Sequence, residues 1–254
     1  MNILQAIILS IVEGVTEFLP ISSTGHLIIA NKLLSIPATE FAKSFDIIIQ
    51  FGAIAAILLL YGKKVMKQSR VVVPVIGAFI PTAVIGLLFY KLIKNVLLTH
   101  DMIVVVSLAV GGIILILVDR MKHKDTHSDV SLMPLTHALL IGLGQSLSII
   151  PGVSRAAATI VTALLLGWTK ESAVEFSFLL AVPTIAAAAG LDAAKNIHTI
   201  ASNLPMLLVG LAGSAVTAAI AVRTFVGYVK KHSLAAFGYY RIAVAALFWL
   251  VIRI

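Results

Sequence analysis

Two long apolar stretches, residues 3–34 and 135–167, are each broken near the middle by a polar run. The first carries Glu13, Glu17, Pro20 and the run Ser22-Ser23-Thr24-Gly25-His26. The second carries Gln145, Ser146, Ser148 and Pro151-Gly152-Val153-Ser154-Arg155. Each break leaves two half-length helices, too short to cross a bilayer, since a crossing takes about 20 apolar residues. Non-helical backbone survives at membrane depth only where protein or a wet cavity surrounds it. Both stretches are therefore expected to form re-entrant helix hairpins. Six further apolar segments, about 44–62, 71–90, 102–118, 173–191, 205–222 and 239–252, are long enough to span, the last with a soft boundary. The expected fold is an all-α polytopic membrane protein of six transmembrane helices plus two re-entrant hairpins.

Composition supports this and excludes rivals. The chain is 60 % hydrophobic and 12 % charged, with a mean hydropathy of +1.07; a soluble domain is about half apolar and a quarter charged. The net charge of +8 does not signal nucleic acid, because Lys63, Lys64, Lys67, Arg70, Arg120, Lys122, Lys124, Lys230 and Lys231 cluster between apolar runs. That is the distribution of cytoplasmic loops in a membrane protein. Glu13 and Glu17 follow the first apolar residues where a signal peptide would need small ones, so the start reads as mature protein. The absence of cysteine excludes disulfides, thiolate metal sites and a cysteine nucleophile.

The broken stretches occupy matching places in two copies of one pattern. Pro20 and Pro151 stand 131 residues apart, and the same shift carries Ser23 to Ser154, Phe45 to Phe176, Lys64 to Lys195 and Pro74 to Pro205. A single membrane domain, 1–254, is expected, with copies at 1–123 and 132–254. One hairpin plus three spans per copy forces the second copy into the opposite orientation, an inverted-topology repeat. With residues 63–70 in the cytoplasm, 119–134, 168–172 and 223–238 join them. Lys32, Lys43, Lys91, Lys94, Lys195 and Arg253 are left on the other side. The first hairpin then enters from outside, the second from the cytoplasm, and their tips meet near the midplane.

The polar runs carry chemistry. Glu13 and Glu17 are four apart and share a helical face. In hydrocarbon they need a cation or proton between them, and oxygen ligation suits Mg²⁺ or Ca²⁺; a structural network with basic side chains is the alternative. After Pro20 a helix restarts with Ser22 or Ser23 as cap. Ser23 and His26, three apart, can pair as hydroxyl and imidazole, the minimum for an activated nucleophile, although Ser23 could be only a cap. Arg155 has no acidic residue in its own hairpin. It suits phosphate, at a helix start that favours anions, and pairing with Glu13 or Glu17 is compatible with that. A phosphate-bearing lipid is the natural substrate of such a site. Asp46 with Gln50, and Glu175 with Ser177, either orient these groups or satisfy hairpin backbone. His100, His123, His127, His198 and His232 are expected in solvated loops.

The sequence resembles the bacitracin-resistance-type undecaprenyl-diphosphate phosphatases of bacterial membranes over nearly its whole length. The resemblance rests on Glu13-Gly14-x-Thr16-Glu17-Phe18-Leu19-Pro20-x-Ser22-Ser23-Thr24-Gly25-His26, on Pro151-Gly152-Val153-Ser154-Arg155 with Thr159, and on Glu175-Phe176-Ser177-Phe178-Leu179-Leu180 with Pro183. It implies removal of the terminal phosphate of undecaprenyl diphosphate in the bacterial cytoplasmic membrane, regenerating the carrier for cell-wall synthesis and conferring bacitracin resistance. It ties Glu13 and Glu17 to a divalent cation and catalysis, and makes Ser23 the favoured nucleophile. His26 becomes an acid/base or rival nucleophile. Ser22, Ser154, Arg155 and Thr159 are assigned to the diphosphate. One departure is that Ala156 and Ala157 stand where the family usually continues with serine and glycine. The implied partners are the prenyl diphosphate lipid and membrane lipids, with a homodimer left open. The rival class is a transporter or flippase for a lipid-linked phosphate, because inverted repeats with broken helices also build secondary transporters. The Ser23/His26 pair favours the enzyme.

Overall fold

The computed structural model describes residues 1–89, 101–121 and 126–253. The expectations placed on Lys91, Lys94, His100, Lys122, His123 and Lys124 lie outside these residues, and the side chain of Arg253 is likewise not described. Twelve α-helices are present among the described residues. The first broken stretch forms α1 (Ile3–Thr16) and α2 (Ser23–Leu33). There follow α3 (Glu40–Ile48), α4 (Gln50–Lys67), α5 (Val72–Leu88) and α6 (Asp101–Arg120). The second broken stretch forms α7 (Leu135–Ser146) and α8 (Arg155–Leu165). The remainder is α9 (Lys170–Lys195), the short α10 (Ile197–Ala201), α11 (Leu204–Val229) and α12 (Ala235–Arg253). No strand occurs among the described residues; a lone bridge joins His127 to Trp168.

Five segments are long and apolar enough to cross a membrane: Glu40–Lys67, Ser69–Leu88, Asp101–Arg120, Lys170–Lys195 and Leu204–Val229. Each contains one of the expected spans as far as the described residues reach. The sixth, 239–252, lies in α12, whose apolar part Ala235–Leu250 is among the shorter helices. Large apolar side chains such as Leu59 and Val216 stay exposed on these helices, as lipid-facing positions require. The chain is a multi-pass, all-helical membrane protein.

Two of the half-length helices are held by a longer helix from another part of the chain, α1 by α11 and α7 by α5, and α6 runs along α12. Between helices in lipid the apolar effect supplies little drive, so close backbone approach through small residues carries the association. A Cβ built on Gly14 would lie 2.5 Å from the Ser214 carbonyl oxygen of α11. One on Gly142 would lie 2.1 Å from the Ala78 carbonyl oxygen of α5. Beneath the first break, Phe18 packs edge-on against Phe178 (5.4 Å between centroids), which also meets Tyr61 and Phe225.

The two breaks share one turn. Ser22 (φ 72) and Ser154 (φ 74) are left-handed, and each side chain caps the helix that follows. At the far ends of those helices Ser35 (φ 51) and Gly167 (φ 83) are left-handed as well. These matching positions stand 132 apart, not the 131 that relates Pro20 to Pro151. One residue separates Pro20 from Ser22, whereas two separate Pro151 from Ser154, and Gly152 at φ 92 takes up the extra one. The cap therefore equates Ser22 with Ser154, and Ser23 with Arg155.

The loop expected to leave His127 solvated is instead laid against the outer end of α8. The Thr126 and His127 N–H groups donate to the Gly167 carbonyl, the Thr169 N–H donates to the His127 carbonyl, and the imidazole lies 5.0 Å from the Trp168 ring. His198 and His232 are exposed, as expected of solvated residues, but His198 lies in α10 and not in a loop.

Gly142→Ala is expected to lower stability by about 1–3 kcal/mol, the usual cost of overpacking. Gly86→Ala, with nothing within 4 Å of its Cβ, should not. Thermal denaturation in detergent measures both.

Candidate active site

The strained caps bring the first residue of α2 and the first residue of α8 to the same carboxylate. Glu17 ends α1, its N–H donating to the Glu13 carbonyl at 2.9 Å. Ser23 Oγ donates to Glu17 Oε2 at 2.5 Å. Arg155 Nη2 donates to Glu17 Oε1 at 3.2 Å, and Nε lies 3.4 Å from the same oxygen. The guanidinium is held further by the Ser177 carbonyl (2.9 Å) and lies 5.7 Å from the centre of the Phe18 ring. Only 7 % of the Glu17 side chain and 9 % of the Arg155 side chain are exposed, so this ion pair is only weakly screened by solvent. Of the two readings open for Arg155, pairing with an acidic residue of the other hairpin is present, and the residue is Glu17.

A cleft of about 220 Å³ opens onto the trio, lined by Glu17, Ser22, Ser23, Ser154 and Arg155 from the two turns. Thr24, Gln50, Ser148, Gly152 and Thr184 add polar atoms, and Ile185 and Ala188 make its apolar wall. Ser22 Oγ accepts the Gly25 N–H and Ser154 Oγ accepts the Ala157 N–H, so both hydroxyls are helix caps at the edge of the cleft. Ser148 was expected only as part of the second break, and Thr184 carried no sequence signal because hydroxyls are common in apolar helices. Gln50 was singled out, and it lines the cleft.

Other expected members stand elsewhere. His26 does not pair with Ser23: its Nδ1 lies 2.8 Å from the Ser22 carbonyl and its Nε2 2.9 Å from Tyr240 Oη. Helical spacing puts positions three apart on one face, but Ser23 sits in the first turn and its hydroxyl turns back to Glu17. Thr159 lies behind Arg155, fully buried, its hydroxyl 2.7 Å from Ser177 Oγ and 3.0 Å from the Arg155 carbonyl. It buttresses the arginine and is not among the cleft-lining residues. Asp46 accepts from Asn31 at 2.6 Å, and Glu175 pairs with Lys64 at 2.5 Å.

The fit of a divalent cation rests on Glu13. It is wholly buried behind the cleft lining, and no protein N–H or O–H donor reaches either carboxylate oxygen, so it fits a cation ligand only together with Glu17. Glu17 has both oxygens engaged and would share a cation with Glu13 only by loosening one of them. Among the described residues no group of three His, Asp or Glu side chains converges, so further ligands would come from substrate oxygens or water, as is usual for Mg²⁺.

Arg241 of α12, also missed, holds both turns in place. It is completely buried and donates to five carbonyls. Pro20 belongs to the first turn (3.3 Å), Gly152 and Val153 to the second (2.9 Å each), and Ser107 (3.0 Å) and Leu108 (3.3 Å) to α6. A lone arginine inside the last apolar segment was its only sequence signal.

Fold and site together define a multi-pass helical membrane protein with a buried acid–hydroxyl–guanidinium trio between two broken helices. The chain belongs to the bacitracin resistance protein BacA family, whose family model matches residues 6–247. Similar curated proteins include the undecaprenyl-diphosphatase of Aquifex aeolicus, 46 % identical over 246 residues and 96 % of both chains. The undecaprenyl-diphosphatase of Persephonella marina is 44 % identical over 99 % of this chain and 100 % of its own. That of Thermus thermophilus is 43 % identical over 96 % of this chain and 95 % of its own.

Arg241→Gln should lower stability by at least about 3 kcal/mol, since several buried carbonyls lose their donor at about 1–3 kcal/mol each. Hydrogen exchange should report faster opening of 18–22 and 150–154 than of the outer helix ends.

Proposed function

We propose that this chain removes the terminal phosphate of undecaprenyl diphosphate in the bacterial cytoplasmic membrane, returning the monophosphate carrier to cell-wall synthesis. The relatives' names point to this activity, and the observation that carries it here is the 2.5 Å hydrogen bond from Ser23 to Glu17 beside Arg155. A buried carboxylate on a serine hydroxyl is a base on a nucleophile, and a neighbouring guanidinium suits a phosphate.

Glu17, in place of His26, takes the proton in this mechanism. Ser23 Oγ attacks the terminal phosphorus, forming an O–P bond as the bond to the bridging oxygen breaks, and the prenyl monophosphate leaves. The serine proton passes to Glu17 Oε2. A neutral Glu17 attracts Arg155 less, freeing the guanidinium for charge developing on the phosphoryl oxygens. Water then attacks the phosphoserine and the Ser23 Oγ–P bond breaks; Glu17 returns its proton to Ser23 Oγ, and the oxygen and protons of the water leave with the released phosphate. The N-termini of α2 and α8 and the Ser22 and Ser154 turns bind the remaining oxygens, and positioning with electrostatics supplies most of the rate, as in phosphoryl transfer generally. A divalent cation held by Glu13 and Glu17 would neutralise diphosphate charge.

The same proposal extends to architecture: six spans and an inverted repeat of one membrane domain, with the first hairpin entering from outside and the second from the cytoplasm. It is supported by the caps 132 apart, and by the starts of α5 at 72 and α11 at 204, also 132 apart. The crossed packing of α1 on α11 and of α7 on α5 agrees with it.

Purified protein in detergent should release phosphate from undecaprenyl diphosphate. Ser23→Ala and Glu17→Gln should each lower kcat by about 10²–10⁴-fold, the range for a lost nucleophile–base pair. Near-full activity of Ser23→Ala would eliminate the serine mechanism. Excess chelator should abolish turnover, with Mg²⁺ or Ca²⁺ restoring it; an unchanged rate removes the cation from the scheme.

A further inference from the structure

The histidine of the first turn is held by a tyrosine from the last helix, and that contact reaches the nucleophile through the strained cap. His26 Nδ1 lies 2.8 Å from the Ser22 carbonyl oxygen. A carbonyl only accepts, so Nδ1 carries a proton, and in the neutral imidazole Nε2 keeps its lone pair. The Tyr240 hydroxyl, 2.9 Å from Nε2, is then the donor, and the two rings are parallel to within 2°. The Ser22 carbonyl also accepts the His26 N–H at 3.2 Å. The residue so gripped is the one at φ 72, a conformation that costs a non-glycine residue about 1–3 kcal/mol unless its surroundings enforce it. Ser23 follows it directly and is aimed at Glu17. In the second turn Ala158 stands at the place matching His26, and Ser154 keeps only the backbone form of the contact, from the Ala158 N–H at 3.0 Å. The turn that presents a hydroxyl for reaction has an imidazole clamp; the turn that presents a guanidinium has a methyl group there.

We propose that Tyr240 is a positioning residue for the phosphatase reaction: its hydroxyl fixes His26 in the Nδ1–H form, which clamps the Ser22 carbonyl and so holds Ser23 on Glu17. The inference rests on the phosphatase reading only for its kinetic consequence. It asks no proton transfer of Tyr240, and the neighbouring Arg241, which braces both turns, puts α12 in register to deliver both side chains.

Tyr240→Phe keeps the ring and removes the donor. It should lower kcat about tenfold, the equivalent of one hydrogen bond, with KM within about twofold. Added to His26→Ala it should cause no further loss. Tyr239→Phe, which removes only the partner of Arg120, serves as the control and should leave kcat unchanged. In ¹⁵N-histidine spectra, the signal absent from His26→Ala should report the Nδ1–H tautomer in the wild type and a mixture in Tyr240→Phe. An unchanged tautomer in Tyr240→Phe, or losses that multiply in the double variant, would overturn the proposal. If the wild type releases no phosphate, the phosphatase reading fails, and the tautomer measurement alone decides the role of Tyr240.

Discussion

Everything at the centre of this protein hangs on how non-helical backbone is kept in an apolar medium, and Arg241 is the answer the chain uses. Two interrupted helices leave carbonyls at Pro20, Gly152 and Val153 with no helical partner. One guanidinium reaches all three and two carbonyls of α6 besides. A lysine could not span this set, because its donors radiate from one atom while the guanidinium presents five in a plane. The charge is buried, which is expensive unless every donor is used, and here all three nitrogens are. Gly111 makes the room: a Cβ there would stand 2.1 Å from Arg241 Nη2.

With the turns fixed, charge decides the rest. Glu17 receives a hydroxyl on one oxygen and a guanidinium on the other, so the central carboxylate is compensated without substrate. Glu13, one helical turn away, has no such partner. The two acids that look equivalent in sequence therefore differ in kind: one is a saturated hub, the other a buried carboxylate that no protein donor reaches. An anion entering the cleft would compete with Glu17 for Arg155, because the guanidinium that pairs with the carboxylate also lines the cleft.

Much of this was legible in the sequence. Interrupted apolar runs announced the two broken helices, and the lack of an acid near Arg155 announced a partner from the other hairpin. The expected Ser23–His26 pairing fails, because helical spacing assumes both residues sit in regular turns, and Ser22 at φ 72 re-aims its successor onto Glu17. Gly152 hid the register: prolines are easy to align, but the residue added after Pro151 shifts every functional position by one. Tyr240 and Arg241 lay inside an apparent span, where a tyrosine reads as an interfacial residue and an arginine as an oddity. Their meaning comes only from carbonyls and an imidazole more than 80 residues away in sequence.

The left-handed serines explain why one turn can serve two purposes. Glycine would adopt the conformation at less cost, but it has no hydroxyl to cap the helix it starts. Serine accepts the strain and closes the first turn of α2 at Gly25 and of α8 at Ala157. The reversal it imposes turns the next side chain out of the helix and toward Glu17. Used twice, it delivers Ser23 from one side and Arg155 from the other to the two oxygens of a single carboxylate. The turn is the same at both breaks, and what differs is the one residue after each cap. A hydroxyl follows the first and a guanidinium the second, so one turn brings two different groups to the same carboxylate.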